Sequence, residues 1–472
     1  MKNKYGLRNR VMAITLLGMV GLIGLLSACG GGGGAPATAT GTTLSHNVWT
    51  WMSGSNVVGQ KGVYGTQGTA AAGNIPGARQ NAVTWIDASG NRWLFGGHGY
   101  DSAGTVGKLN DLWKFDGTNW TWVSGSNLVN QKGTYGALGV AAAGNIPGAR
   151  GYAISWTDGA RNLWLFSGNG YDSAGTLGVL NDLWKFDGAN WTWVAGGNLV
   201  NQKGTYGTLG VAAAGNIPGA RNGSIGLIDG SGILWLFGGL GYDSAGAAGN
   251  LNDLWKFDGT NWTWVSGSNV VNQTGVYGTQ GTAAAGNIPG ARNSAISWVD
   301  GSGKFWLFGG QGYDSAGTLG FINDLWKFDG TNWIWVSGSN LINQMGTYGT
   351  QGVAAAGNVP GARLFASSWI DGSGNRWLFG GQGYDSAGTL GYLNDLWKFD
   401  GTNWAWVSGS NVVNQKGTYG TQGMVAAGNM PGARWNAIRW IDASGNLWLF
   451  GGLSYDSAGT YGITSDLWRY QP

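Results

Sequence analysis

The chain has 472 residues, among them 93 Gly, 30 Trp, one Cys and two His; its 23 acidic residues are all Asp, and the formal net charge is +3. The lack of Glu and the low charge exclude a helical bundle or coiled coil, one Cys excludes a disulfide scaffold, and so much aromatic surface excludes disorder. A large, Gly-rich, aromatic-rich all-β chain remains.

The first predicted element is an export leader. Lys2, Lys4, Arg8 and Arg10 precede an apolar run over 11–26, which is short for a spanning helix of about 20 residues. The string Leu26-Ser27-Ala28-Cys29 resembles a bacterial lipobox. That resemblance implies a signal peptide over 1–28 and lipidation of Cys29. It also implies an exported protein held at the cell-envelope membrane by its lipid, at the outer membrane of a Gram-negative cell because Asp does not follow Cys29. Residues 29–45, rich in Gly, Ala and Thr, read as a flexible tether. Cleavage removes four of 26 basic residues and leaves 22 against 23 Asp, a charge of about −1, so nucleic acid is not an expected partner.

A repeat fills the rest of the chain, over 46–472. Pro-Gly-Ala-Arg begins at Pro76, Pro147, Pro218, Pro289, Pro360 and Pro431, at intervals of 71 residues. Each repeat carries four strand-like stretches, in the first copy over 81–86, 92–95, 111–115 and 120–123, separated by Gly, Asp and Asn turns. A four-stranded unit repeated six times reads as a six-bladed β-propeller of antiparallel blades. Trp49-Thr50-Trp51 is a fourth strand with no blade of its own, and the chain ends after a third strand, Asp466 to Tyr470. The N-terminal strand is therefore expected to complete the last blade, closing the ring and removing free sheet edges.

The double Gly after an apolar strand, the segment Asn110-Asp111-Leu112-Trp113-Lys114-Phe115-Asp116 and the paired Trp120 and Trp122 together resemble the kelch repeat. The resemblance spans the repeat region, although kelch repeats run to about 50 residues and these have 71. Most of the excess follows the fourth strand. The resemblance extends to galactose oxidase, whose propeller is kelch-type, but that enzyme's copper site needs His ligands and a Cys–Tyr cross-link. Here the candidates are only His46, His98 and Cys29. No catalytic residue, metal site or cofactor is expected, and enzymatic activity is not the leading expectation.

Residues present in every copy are expected to maintain the blade. Turn residues such as Asp87 and Asp116 fit Asx turns, and the Asp101 series fits a loop-ordering role. Of the 30 Trp, 29 occupy repeat-equivalent positions and are expected to pack blade on blade; Trp435 is the exception. The six Arg that open the first strands, Arg79, Arg150, Arg221, Arg292, Arg363 and Arg434, are candidates for a ring that holds an anionic ligand. The competing expectation is that each pairs with a loop Asp or with backbone carbonyls.

Three positions differ most between copies. The pair after each Arg includes Tyr152, Phe365 and Trp435. The position after the double Gly holds His98, Asn169, Leu240, Gln311, Gln382 and Leu453. The position before the third strand holds Lys108, Val179, Asn250, Phe321, Tyr392 and Ile463. Propeller topology places all three at one face near the axis. Tyr152, Phe365, Trp435, His98, Asn169, Gln311, Gln382, Phe321 and Tyr392 are the candidate ligand-binding residues. The expectation is an envelope-anchored, monomeric binding protein for a carbohydrate or protein ligand. The alternatives are a sugar-acid mutarotase, which the resemblance to exported six-bladed kelch enzymes implies, and a purely structural or adhesive propeller.

Overall fold

The computed structural model describes residues 46–472; the expected leader, Cys29 and tether lie outside the described residues. Six antiparallel sheets form the six blades of an all-β propeller. In blade one the first strand is Arg79–Gln80 continued by Val83–Ile86, the second Arg92–Tyr100, the third Val106–Phe115 and the fourth Trp120–Ser124. The last blade closes as expected. Val48–Ser53 pairs antiparallel with Tyr461–Gln471, with Trp49 opposite Tyr470.

Two departures from the expected strands matter for function. The double Gly does not end the second strand. Gly96 and Gly97, at φ 65° and 102°, form a bulge within it, and the strand runs on to Tyr100. A Cβ on Gly96 would lie 2.8 Å from the Arg150 carbonyl oxygen of the next blade, so glycine permits both the bulge and the close approach. The third strand likewise begins earlier than expected, at Val106. The variable residues at 98 and 108 therefore sit on paired strands, not on loops.

The second departure is an interruption in the innermost strand between 80 and 83, where Asn81 has φ 58°. The same break recurs in every blade.

The long segment after each fourth strand accounts for the extra repeat length. Ahead of blade one, its Gly68 amide donates to the Trp122 carbonyl at 2.8 Å and its Asn74 side chain to the Trp120 carbonyl at 3.0 Å. It thus lies along the outer strand of the blade that follows it and covers an edge that would otherwise be open to pairing. In the closing blade the Gly423 amide caps the Trp51 carbonyl at 2.7 Å in the same way.

Six apolar clusters fill the interfaces between neighbouring blades. One joins Val83, Trp85 and Phe95 of blade one to Leu165, Trp184 and Trp191 of blade two, and equivalent groups fill the other five interfaces. The repeated Trp are packing residues, as their periodicity implied.

Candidate functional site: the axial mouth

The three variable positions are cross-strand neighbours. Gln80 pairs with His98 and His98 with Lys108; in blade five Leu364 pairs with Gln382 and Gln382 with Tyr392. Each blade therefore carries one row of three varying side chains leading outward from the axis on one face.

The next residue inward shapes the mouth. Asn81, Tyr152, Gly223, Ser294, Phe365 and Asn436 all have positive φ, between 54° and 61°. Each amide donates to the carbonyl of its counterpart in the preceding blade, as in Tyr152 to Asn81 at 3.1 Å and Ser294 to Gly223 at 2.7 Å. The Asn81 amide closes the ring on Asn436 at 3.3 Å. Six backbone hydrogen bonds thus encircle the axis. Only glycine adopts this conformation without penalty. Bulky residues there store on the order of 1–3 kcal/mol of strain each, a cost that concentrates at functional sites.

Two of those bulky residues meet. Tyr152 of blade two and Phe365 of blade five are three blades apart in a six-membered ring, yet their ring centroids are 5.4 Å apart. They reach across the axis and narrow it. From Phe365 the aromatic contacts continue to Trp435 at 5.2 Å, to Tyr392 at 6.0 Å and to Tyr461, stacked on Tyr392 at 4.8 Å. On the other side Lys108 places its ammonium 5.2 Å from the Tyr152 ring centroid, a cation–π contact. A cavity of about 160 Å³ lies at this mouth, lined by Asn81, Tyr152, Ser294, Phe365 and Asn436 among others.

The polar rim is incompletely paired. Gln80 Oε1, His98 Nδ1 and Asn436 Nδ2 are buried without a hydrogen-bond partner among the described residues, all in blades six and one. Unpaired buried groups are costly, and a bound polar ligand is one way to satisfy them. Burial lowers the proton affinity of His98, with Lys108 beside it adding to the effect. Burial also pushes the Lys108 ammonium down to about 8.

Among the expected site residues, Tyr152, Phe365, Trp435 and Tyr392 come together, and His98 sits beside Lys108. Asn169, Gln311 and Gln382 are half-buried in the rows of their own blades. Phe321 packs instead on Tyr384, at 6.2 Å, apart from the aromatic group.

The arginine ring is corrected. Arg79, Arg150, Arg221, Arg292, Arg363 and Arg434 are at most 1% exposed. They pair with Asp111, Asp182, Asp253, Asp324, Asp395 and Asp466 at 2.6–2.8 Å. In blade one both terminal nitrogens of Arg79 engage Asp111, while its Nε and Nη1 donate to the carbonyls of Gly77 and Gly96. Four of its five N–H donors are spent in this way, and complete burial keeps the fifth from any ligand. Burial opposes the Arg79 charge, but the Asp111 carboxylate outweighs it and raises the proton affinity. The partner is the third-strand Asp rather than the loop Asp. Asp101 is instead spent on the amides of Ala103, Thr105 and Val129.

Sequence reasoning missed two sets of residues. Tyr64, Tyr135, Tyr206, Tyr277, Tyr348 and Tyr419, from the long segments, each donate a hydroxyl to the Asp of that buried pair at 2.6–2.7 Å. Their invariance across the copies was the available signal. The second is Arg439, whose equivalents are Thr84, Ser155, Gly226, Ser297 and Ser368; comparing the copies three positions beyond the variable pair would have exposed it.

Fold and site together define a six-bladed β-propeller with an aromatic, polar-rimmed mouth on its variable face. No family model matches the sequence, and no curated protein matches it. The solved structures similar to it include YjhT and a fungal alcohol oxidase. The structure of YjhT is 14% identical with a TM-score of 0.48, covering 83% of this chain and 95% of that one. A novel fungal alcohol oxidase of the AA5 family, in complex with copper, is 12% identical with a TM-score of 0.43, covering 87% and 77%.

Proposed function

We propose that this chain is a kelch-type binding propeller, anchored in the cell envelope through Cys29, whose axial mouth recognises a carbohydrate. The observation that carries the reading is the continuous group of Tyr152, Phe365, Trp435 and Tyr392 beside buried polar atoms that lack partners. Aromatic faces take the apolar faces of sugar rings, while amide and imidazole groups take their hydroxyls. A mouth cavity of about 160 Å³ suits a single terminal sugar better than an extended peptide. The kelch assignment rests on the repeated residues, and the anchor on the lipobox-like string. The mutarotase alternative keeps the resemblance from which it came but loses the arginine ring as a holder for a sugar carboxylate.

The test is a glycan panel read by thermal shift on the mature protein, because a ligand specific for the folded state stabilises it with the logarithm of its concentration. At least one glycan is expected to raise the melting temperature of wild type, with the shift lost in Trp435→Ala and in Tyr392→Ala. A shift that survives both substitutions would remove the mouth as the site. Silence across the panel would favour the structural or adhesive reading.

A further inference from the structure

Below the ring of backbone bonds the axis continues as a channel of about 340 Å³, walled by the first strands of the blades. Its lining repeats from blade to blade and is otherwise uncharged, with Ala or Ser at positions such as Ala82, Ala153 and Ser224 and Val or Ile at positions such as Val83 and Ile154. One side chain breaks the pattern. At the position that holds Thr84, Ser155, Gly226, Ser297 and Ser368 in five blades, the sixth holds Arg439. Arg439 lines both the channel and the mouth cavity, so it stands at their junction, and no acidic residue lines either cavity.

Three of the four hydroxyl equivalents of Arg439 are spent on the wall. Thr84 donates to the Arg439 carbonyl at 3.2 Å, Ser155 to the Thr84 carbonyl at 3.3 Å and Ser368 to the Ser297 carbonyl at 3.4 Å. Arg439 keeps that role with Nε alone, which donates to the Ser368 carbonyl at 2.6 Å. Among the described residues its two terminal NH₂ groups have no acceptor and no carboxylate pairs with it, in contrast to the six first-strand arginines. Three blades away across the ring stands Gly226, the one member of this set with no side chain, which leaves space opposite the guanidinium. Arg439 remains exposed to the channel while protein surrounds it, and this desolvation pushes its proton affinity down to about 10. It stays charged at neutral pH.

A cation held in a narrow channel with two free, parallel donor groups and no counter-charge is suited to an oxyanion. We propose that the axial channel is a binding site for one small oxyanion, a carboxylate or a tetrahedral phosphate or sulfate, held bidentately by Arg439. The site does not depend on the carbohydrate reading, and its test contains no sugar.

The experiment is equilibrium dialysis and thermal shift on the mature protein, with phosphate and acetate as separate arms against chloride at constant ionic strength. Wild type is expected to bind one anion per chain saturably and to gain melting temperature with its concentration. Arg439→Ser, which installs the residue of three other blades, is expected to fold and to melt no lower than wild type in chloride. It should lose affinity by roughly tenfold or more. The arm that binds more tightly tells a planar from a tetrahedral anion. Equal binding by wild type and Arg439→Ser would overturn the site. So would the absence of saturable binding to wild type in both arms, a result that stands whether or not the variant folds.

Discussion

The buried Arg221–Asp253 pair of blade three sets up a sharp test of what holds each blade to its covering segment. Asp253 accepts four hydrogen bonds: from Arg221 Nη1 and Nη2, both at 2.8 Å, and from Tyr206 and Trp255, both at 2.7 Å. Both charged side chains are 0% exposed. Asp253→Asn keeps the shape but removes the charge. Three of the four donors converge on Oδ2, so the amide oxygen is best placed there. The amide NH₂ then faces Arg221 Nη1, donor against donor. A buried pair broken at one partner loses about 3–5 kcal/mol, because the other charge stays in the interior uncompensated. Urea unfolding followed by Trp fluorescence and far-UV circular dichroism should show a loss of that size. The triple substitution Arg221→Met, Asp253→Leu and Tyr206→Phe removes charges and hydroxyl together, and is expected to lose less than Asp253→Asn alone. A loss below about 1 kcal/mol for Asp253→Asn would refute the argument from uncompensated burial, as would a triple variant less stable than the single one.

Two further outcomes follow from the mouth. Phe365 holds φ 54° and touches Tyr152 and Trp435; both Phe365→Ala and Phe365→Gly lose those contacts, but only glycine relieves the backbone strain. The glycine variant should be the more stable of the two by about 1 kcal/mol in urea unfolding, and the reverse order would refute a strained left-handed position. Lys108 has its proton affinity lowered by burial from 10.5 to about 8. Below that value both folded and unfolded chains are protonated. Between the two values the unfolded chain holds a proton that the folded chain has released, so stability rises with pH through this window. The stability of wild type minus that of Lys108→Met should increase from about pH 7.5 to about pH 10, and a flat difference would show that the ammonium is not desolvated in the fold.

The sequence alone determined the blade. A 71-residue period, paired Trp, Asx-forming Asp and the phase of the two ends required six blades and a composite last one. These are local signals, or signals between adjacent copies, and repetition makes each of them visible six times. The face that varies was also legible, because Gln80, His98 and Lys108 differ from their equivalents together. Tertiary structure decided which side chains meet. Tyr152 and Phe365 are 213 positions apart and touch only because six blades close into a ring. The first-strand arginines looked like ligand groups until the fold placed a carboxylate from 32 residues downstream and a tyrosine from the preceding long segment around them. Arg439 is one letter at a position that is Thr, Ser or Gly in the other five blades, and closure of the ring is what turns it into an unpaired charge on the axis. Composition and period specify what each copy buries, whereas a site on the axis belongs to no single copy and exists only where all six converge.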